Sequence, residues 1–109
     1  ESGRSTHADR IATIRTTWQT SKELIDTHTA DGVKVAHEHL VPGVPMIVLE
    51  TALPAKFAAS IEEAVGFAPP VPAALADLET RPRRSVDMPA DEGKIKSYLA
   101  SHVPEVNGA

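Results

Sequence analysis

The sequence predicts an α/β fold: a mostly helical chain that contributes one or two short strands to a parallel sheet completed elsewhere. Three observations predict it. The run Met46-Ile47-Val48-Leu49 is short, wholly apolar and partly β-branched, the habit of strands covered on both faces in parallel sheets. On either side of it, apolar residues recur at helical spacing. No second run of similar quality occurs in the chain, although the N–H and C=O groups of a buried strand need partners on both sides. Residues 1–109 therefore read as a single piece of a larger α/β domain whose other strands lie elsewhere. The competing reading is a mostly helical domain in which 46–49 is a buried connector.

Taken in order, the polar lead-in ends at Thr6, an N-cap candidate with Asp9 three residues on. Ile11, Ile14 and Trp18 then share one face of a helix predicted over 8–22. A turn, "ELIDTHTADG", leads into a second helix over 30–40 with Val33, Ala36 and Leu40 inward. "LVPGVP" stops it, since prolines and a glycine so close together break a helix. The strand is expected over 46–50 and a third helix over 54–65. Pro54 suits its first turn, where a missing N–H costs nothing. Phe57, Ile61, Ala64 and Val65 form its buried stripe, and Gly66 suits the residue just past its end. Short helical turns are expected through Ala73–Leu78, a basic loop at "RPRR" (81–84), and a last helix over 90–102 carrying Ile95, Tyr98, Leu99 and His102. The tail "PEVNGA" is expected to fray.

Composition narrows the function classes. A net charge of −4 argues against nucleic-acid binding, which needs a basic face. With no cysteine there is neither a disulfide nor a thiolate metal site. No apolar run approaches the roughly 18–20 residues that cross a bilayer, so no membrane partner is expected. The polar start "ESGRSTHADR" has no signal-peptide pattern and no initiator Met, which fits a piece of a longer chain.

Local chemistry is sparse. His37 and His39 lie two apart on a predicted helix and point in different directions, and His7 and His28 have no partner at ligand spacing, so no metal site is expected. There is no glycine-flanked serine elbow, no GxGxxG and no P-loop. Two segments stand out. "IDTHTADG" (25–32) gathers Asp26, His28 and Thr29 at a helix entry, where capping alone explains Asp and Thr. "ETALPAKF" (50–57) puts Thr51 just past the expected strand, and open α/β sheets bind ligands beyond the carboxyl ends of their strands. A plain strand-end or capping threonine explains the same residue. Glu50, one residue earlier, would face the opposite way in a strand.

These segments resemble the C-terminal part of threonine synthase, a family of pyridoxal-phosphate enzymes with the tryptophan-synthase-β-like fold. "LIDTHTADGVKVA" (24–36) is similar to the family's "iDPHTAvGv.aa", "IVLETALPAKFAASIEEAVG" (47–66) to "l.TAHPAKF...v..alG", and "MPADEGKIKSYL" (88–99) to "lpaD...vk..i". Order and gaps agree, and the resemblance covers about residues 8–103. Thr27 stands where the family usually has Pro, Asp31 replaces an apolar residue, and Leu53 replaces the His of "TAHP".

The resemblance implies a pyridoxal-phosphate-dependent lyase of threonine biosynthesis in the cytoplasm, converting O-phospho-L-homoserine and water into L-threonine and phosphate. It implies that Thr51 hydrogen-bonds the pyridine nitrogen of pyridoxal 5'-phosphate, with Asp26, His28 and Thr29 lining or bracing the pocket. It places the Schiff-base lysine and the phosphate-cradling loop upstream of residue 1, in the remainder of the catalytic domain that would be this chain's partner. No catalytic residue is then expected in this chain, Lys56 is not the Schiff-base lysine, and the chain alone is expected to be inactive. Other readings are a related pyridoxal-phosphate lyase such as threonine dehydratase, against which "HTA.GV" and "TA.PAKF" together argue, and a free-standing helical protein-interaction module using "PPVP" and its acidic surface.

Overall fold

The computed structural model describes residues 2–102, which fall into two units, one ending at Asp77 and one beginning at Leu78. The first unit is built on helix α1 (His7–Ser21). Its start is fixed by a capping box: the Thr6 hydroxyl accepts from the Asp9 N–H, and the Asp9 carboxylate accepts from the Thr6 N–H at 2.9 Å. Its end is closed by Lys22 in the left-handed region, φ 62°, whose N–H reaches the Trp18 carbonyl at 3.1 Å.

Helix α2 spans Thr27–Glu38, beginning earlier than the expected 30. The reason is the cap. Asp26, not a residue of 29–31, sits in the extended conformation and accepts from the N–H groups of His28 and Thr29. The chain then passes through a 3₁₀ turn, Pro54–Phe57, into helix α3 (Ala58–Val65), which stops at Gly66 with φ 84°. That dihedral is nearly free for glycine and costly for other residues.

Helix α1 packs against both α2 and α3. The core is small: Ile11 and Ile14 from α1, Ala30 from α2, Ile61 and Ala64 from α3, with Leu24, Ile25 and Val65 against it. Polar contacts extend it. Arg10 of α1 grips the Asp31 carboxylate of α2 through Nε at 3.1 Å and a second nitrogen at 2.7 Å. Arg15 Nε donates to the Ala64 carbonyl at 2.8 Å, satisfying a carbonyl of the last turn of α3.

The inward stripe expected for α2 is only partly right. Thr27, Thr29 and Ala30 are its buried residues, whereas Leu40 lies beyond the helix and is 55% exposed. Only the N-terminal half of α2 supplies the core it shares with α1.

The strand expected over 46–50 does not form. These residues adopt no regular secondary structure, and no strand occurs among the described residues. Nor is the run a buried connector, since Ile47 is 82% and Leu49 76% exposed. The physical reason is the one that made the run conspicuous. A strand is held by a neighbouring ladder, and no other segment among the described residues offers one. With the strand goes the alternation that set Glu50 opposite Thr51; both residues are exposed.

A further 3₁₀ turn, Ala73–Leu75, lies in the first unit, in place of the longer helical turns expected through residue 78. In the second unit, a 3₁₀ turn at Leu78–Thr80 precedes the exposed "RPRR" loop, where Arg83 pairs with Glu79 at 3.2 Å. Helix α4 (Glu92–His102) starts two residues after the expected 90. Asp91 marks the start, its carboxylate accepting from the Lys94 N–H at 2.9 Å. It buries no residue. Tyr98 stacks on His102 with centroids 4.0 Å apart, and Ile95 and Leu99 remain exposed. The expected fraying of "PEVNGA" lies outside the described residues.

Candidate functional site

A groove of about 470 Å³ runs between α2 and the segment leading to Thr51. Its α2 wall carries His28, Gly32, Val35 and Ala36, and its other wall is formed by Met46 to Leu49 and Thr51. Gly32 lets the two walls meet. A methyl group there would lie 3.0 Å from Val48 Cγ1, so any side chain would press the segment away. A glycine inside a helical pattern costs about 1 kcal/mol against alanine, and here it permits that close approach. Its one trace in the sequence is an isolated glycine within a helical pattern.

Behind the groove residue His28 stands Asp26, fully buried. One carboxylate oxygen accepts from the His28 N–H at 2.9 Å and lies 3.2 Å from His28 Nδ1. The other accepts from the Thr29 hydroxyl in a short contact and from the Thr29 N–H at 3.4 Å. Burial pushes the Asp26 carboxyl up. The hydrogen bonds from Thr29 and His28 outweigh it and hold the group below the ordinary carboxylate value. Asp26 is therefore an anion at neutral pH.

Thr29 extends this arrangement across the chain. Its Oγ1 accepts from the Thr51 N–H at 3.3 Å, joining residues 22 apart in sequence. Thr51 is itself exposed at the groove, and its hydroxyl has no hydrogen-bond partner among the described residues. A neutral hydroxyl at the rim of a partly apolar groove can donate one hydrogen bond to a ligand acceptor. His28 also lines the groove, its ring edge-on to Phe57 with centroids 4.9 Å apart.

The structure thus brings Asp26, His28, Thr29 and Thr51 together. Lys56 lies in the 3₁₀ turn after Thr51, with its Nζ 5.5 Å from the Phe57 ring centroid. Leu53 faces a different cavity, about 540 Å³, shared with Trp18, Phe67 and prolines 70 and 72. Asp31 lines neither cavity. Burial raises its carboxyl and the Arg10 and Ser5 hydrogen bonds lower it, with a net depression. Among the described residues no three His, Asp or Glu side chains are grouped to hold a metal ion, and no helix is long and apolar enough to cross a membrane.

The chain is similar to known proteins over most of its length. The family model described as threonine synthase, C-terminal, matches residues 29–99. A threonine synthase from Methylobacillus glycogenes is 51% identical over 102 residues, which are 94% of this chain and 22% of the relative. One from Corynebacterium glutamicum is 48% identical over 103 residues, 94% of this chain and 21% of the relative. The crystal structure of pyridoxal-phosphate-bound threonine synthase from Brucella melitensis superposes with a TM-score of 0.76 at 38% identity, covering 92% of this chain and 22% of that one. The chain spans about a fifth of the length of the relatives it matches, and with the family match covering well over half of its residues, it belongs to the threonine synthase C-terminal family.

Proposed function

We propose that this chain forms one wall of the cofactor pocket of a cytoplasmic threonine synthase, which converts O-phospho-L-homoserine and water into L-threonine and phosphate. The observation that carries the reading is the Thr51 hydroxyl, exposed at the groove while its backbone N–H is held by Thr29. Family membership and the pyridoxal-phosphate-bound relative support the choice of ligand.

In this reading Thr51 donates its hydroxyl proton to the unprotonated pyridine nitrogen of pyridoxal 5'-phosphate, and Asp26, His28 and Thr29 line or brace the same pocket. The residues present fit that group. A neutral donor suits a neutral ring nitrogen, whereas a carboxylate would favour the pyridinium. The bound cofactor would supply the electron sink needed as the γ-phosphate leaves and water adds at the β carbon. Thr51 orients the ring and tempers that sink, because a hydrogen bond withdraws less charge than a full proton. The apolar groove residues Val35, Val48 and Leu49 would give the bound group apolar contact. This chain contributes no proton-transfer group in this reading, so alone it is inactive, and its partner is the remainder of the catalytic domain.

The test uses the full-length protein, with and without Thr51→Ala, assayed for phosphate release from O-phospho-L-homoserine with pyridoxal phosphate present. Activity in the parent, with an altered cofactor absorption band and about tenfold weaker cofactor binding in the variant, is the expected result. Parent activity untouched by the substitution would remove Thr51 from the site. A parent that neither releases phosphate nor binds the cofactor would overturn the function.

A further inference from the structure

We propose that Thr29 is a positioning residue for Thr51, fixed in its own orientation by the buried Asp26 anion. The inference rests on the reading of Thr51 as the hydroxyl that meets the cofactor ring. It goes beyond that reading by assigning the group that holds Thr51 in place.

The polarity of the contacts carries it. Asp26 is fully buried and ionised, so both of its oxygens only accept. The Thr29 hydroxyl must therefore spend its single proton on Asp26. What remains on Thr29 Oγ1 is acceptor capacity, and the Thr51 N–H takes it at 3.3 Å. Every bond in the chain Thr51 N–H, Thr29 Oγ1–H, Asp26 carboxylate has one allowed direction. The Thr51 backbone is thus tied to a buried charge through a hydroxyl that cannot turn round.

Helix capping does not explain the arrangement. The cap of α2 needs only the Asp26 oxygens on the His28 and Thr29 N–H groups, and an alanine at 29 would leave both contacts intact. Threonine is a poorer helix former than alanine, and a buried hydroxyl is costly unless it is hydrogen-bonded. Thr29 makes two bonds, one of them to a residue 22 positions away. That second bond reaches the segment carrying Thr51, which has no strand ladder among the described residues to hold it.

The experiment is a double-mutant cycle in the full-length protein, read as the dissociation constant for pyridoxal phosphate from titration of its absorption band. The variants are Thr29→Val, Thr29→Ser, Thr51→Ala and the Thr29→Val/Thr51→Ala pair, with the unfolding midpoint of each apoprotein as a check of folding. Thr29→Val is expected to weaken binding about fivefold, the worth of one hydrogen bond, and to shift the band in the same direction as Thr51→Ala. Thr29→Ser, which keeps the hydroxyl, is expected to bind within about twofold of the parent. In the Thr51→Ala background, Thr29→Val is expected to add nothing, because no hydroxyl remains to be misplaced. Thr29→Ala takes the place of the valine variant in the same cycle if valine prevents folding.

Equal losses from Thr29→Val in both backgrounds would show a general structural effect and overturn the proposal. So would unchanged binding in the Thr29→Val single variant. If Thr51→Ala itself leaves both affinity and band unchanged, the reading of Thr51 fails first and the positioning role falls with it. A normal Thr29→Val beside a weakened Thr51→Ala sinks the positioning role alone.

Discussion

Asp26 concentrates the electrostatics of the site at a single side chain. It is buried, yet four contacts from two residues keep its carboxyl ionised. Its pKa in the folded chain lies below the ordinary value. A depressed carboxylate stabilises the fold above its unfolded pKa of about 4, and that stabilisation is lost as pH falls through the lower folded value. Thermal unfolding should therefore show the parent losing stability below about pH 4. Asp26→Asn is expected to cost about 1–3 kcal/mol at pH 7, because the amide NH2 would face the donors of either Thr29 or His28 and cannot accept from them. The gap should narrow as the pH drops; a gap that stays constant to pH 2 would show that the charge of Asp26 is not what the site uses. Thr27 and Leu53 sit apart from it: Thr27 is buried in the first turn of α2, and Leu53 faces the second cavity.

Between elements, the Arg10–Asp31 pair fastens α1 to α2 directly behind the helix entry that carries the site. Its side chains are 30% and 28% exposed, and the guanidinium engages both carboxylate oxygens. Geometry of that kind lies at the upper end of the range for surface-adjacent pairs. A double-mutant cycle with Arg10→Ala and Asp31→Ala is expected to give a coupling of about 1 kcal/mol at low salt, declining as salt rises. Coupling near zero would leave the fastening to Ile11, Ile14 and Ala30 alone. Arg10 on the facing helix gives Asp31 a physical role that the single position could not reveal.

Seen whole, the described chain buries little and exposes much. The core of the first unit holds five buried apolar side chains, whereas Leu40, Val41, Val44, Met46, Ile47, Leu49 and Leu53 stand exposed within one stretch of chain. An exposed apolar surface of this kind seeks cover, and backbone groups with no ladder partner add to the tendency. The chain of 109 residues, expressed by itself, is expected to run above monomer mass on gel filtration and to bind a hydrophobic dye. Ile47→Lys together with Leu49→Lys should shift it toward monomer. A monodisperse monomer without dye binding would indicate that this surface is closed in solution by the chain's own residues.

What the sequence determined by itself was local and chemical. Helical periodicity marked four helices, Thr6 with Asp9 marked a start, and Gly66 marked an end, because caps and periods are written in neighbouring residues. The motif around Thr51 was legible for the same reason. Tertiary structure decided what depends on distant partners. It moved the start of α2 to Asp26, left 46–50 without regular structure for want of a ladder, and made Gly32 the point where the groove walls meet. It alone linked Thr29 to Thr51 and Arg10 to Asp31, since a hydrogen bond between residues far apart in sequence leaves no periodic trace in the chain that makes it.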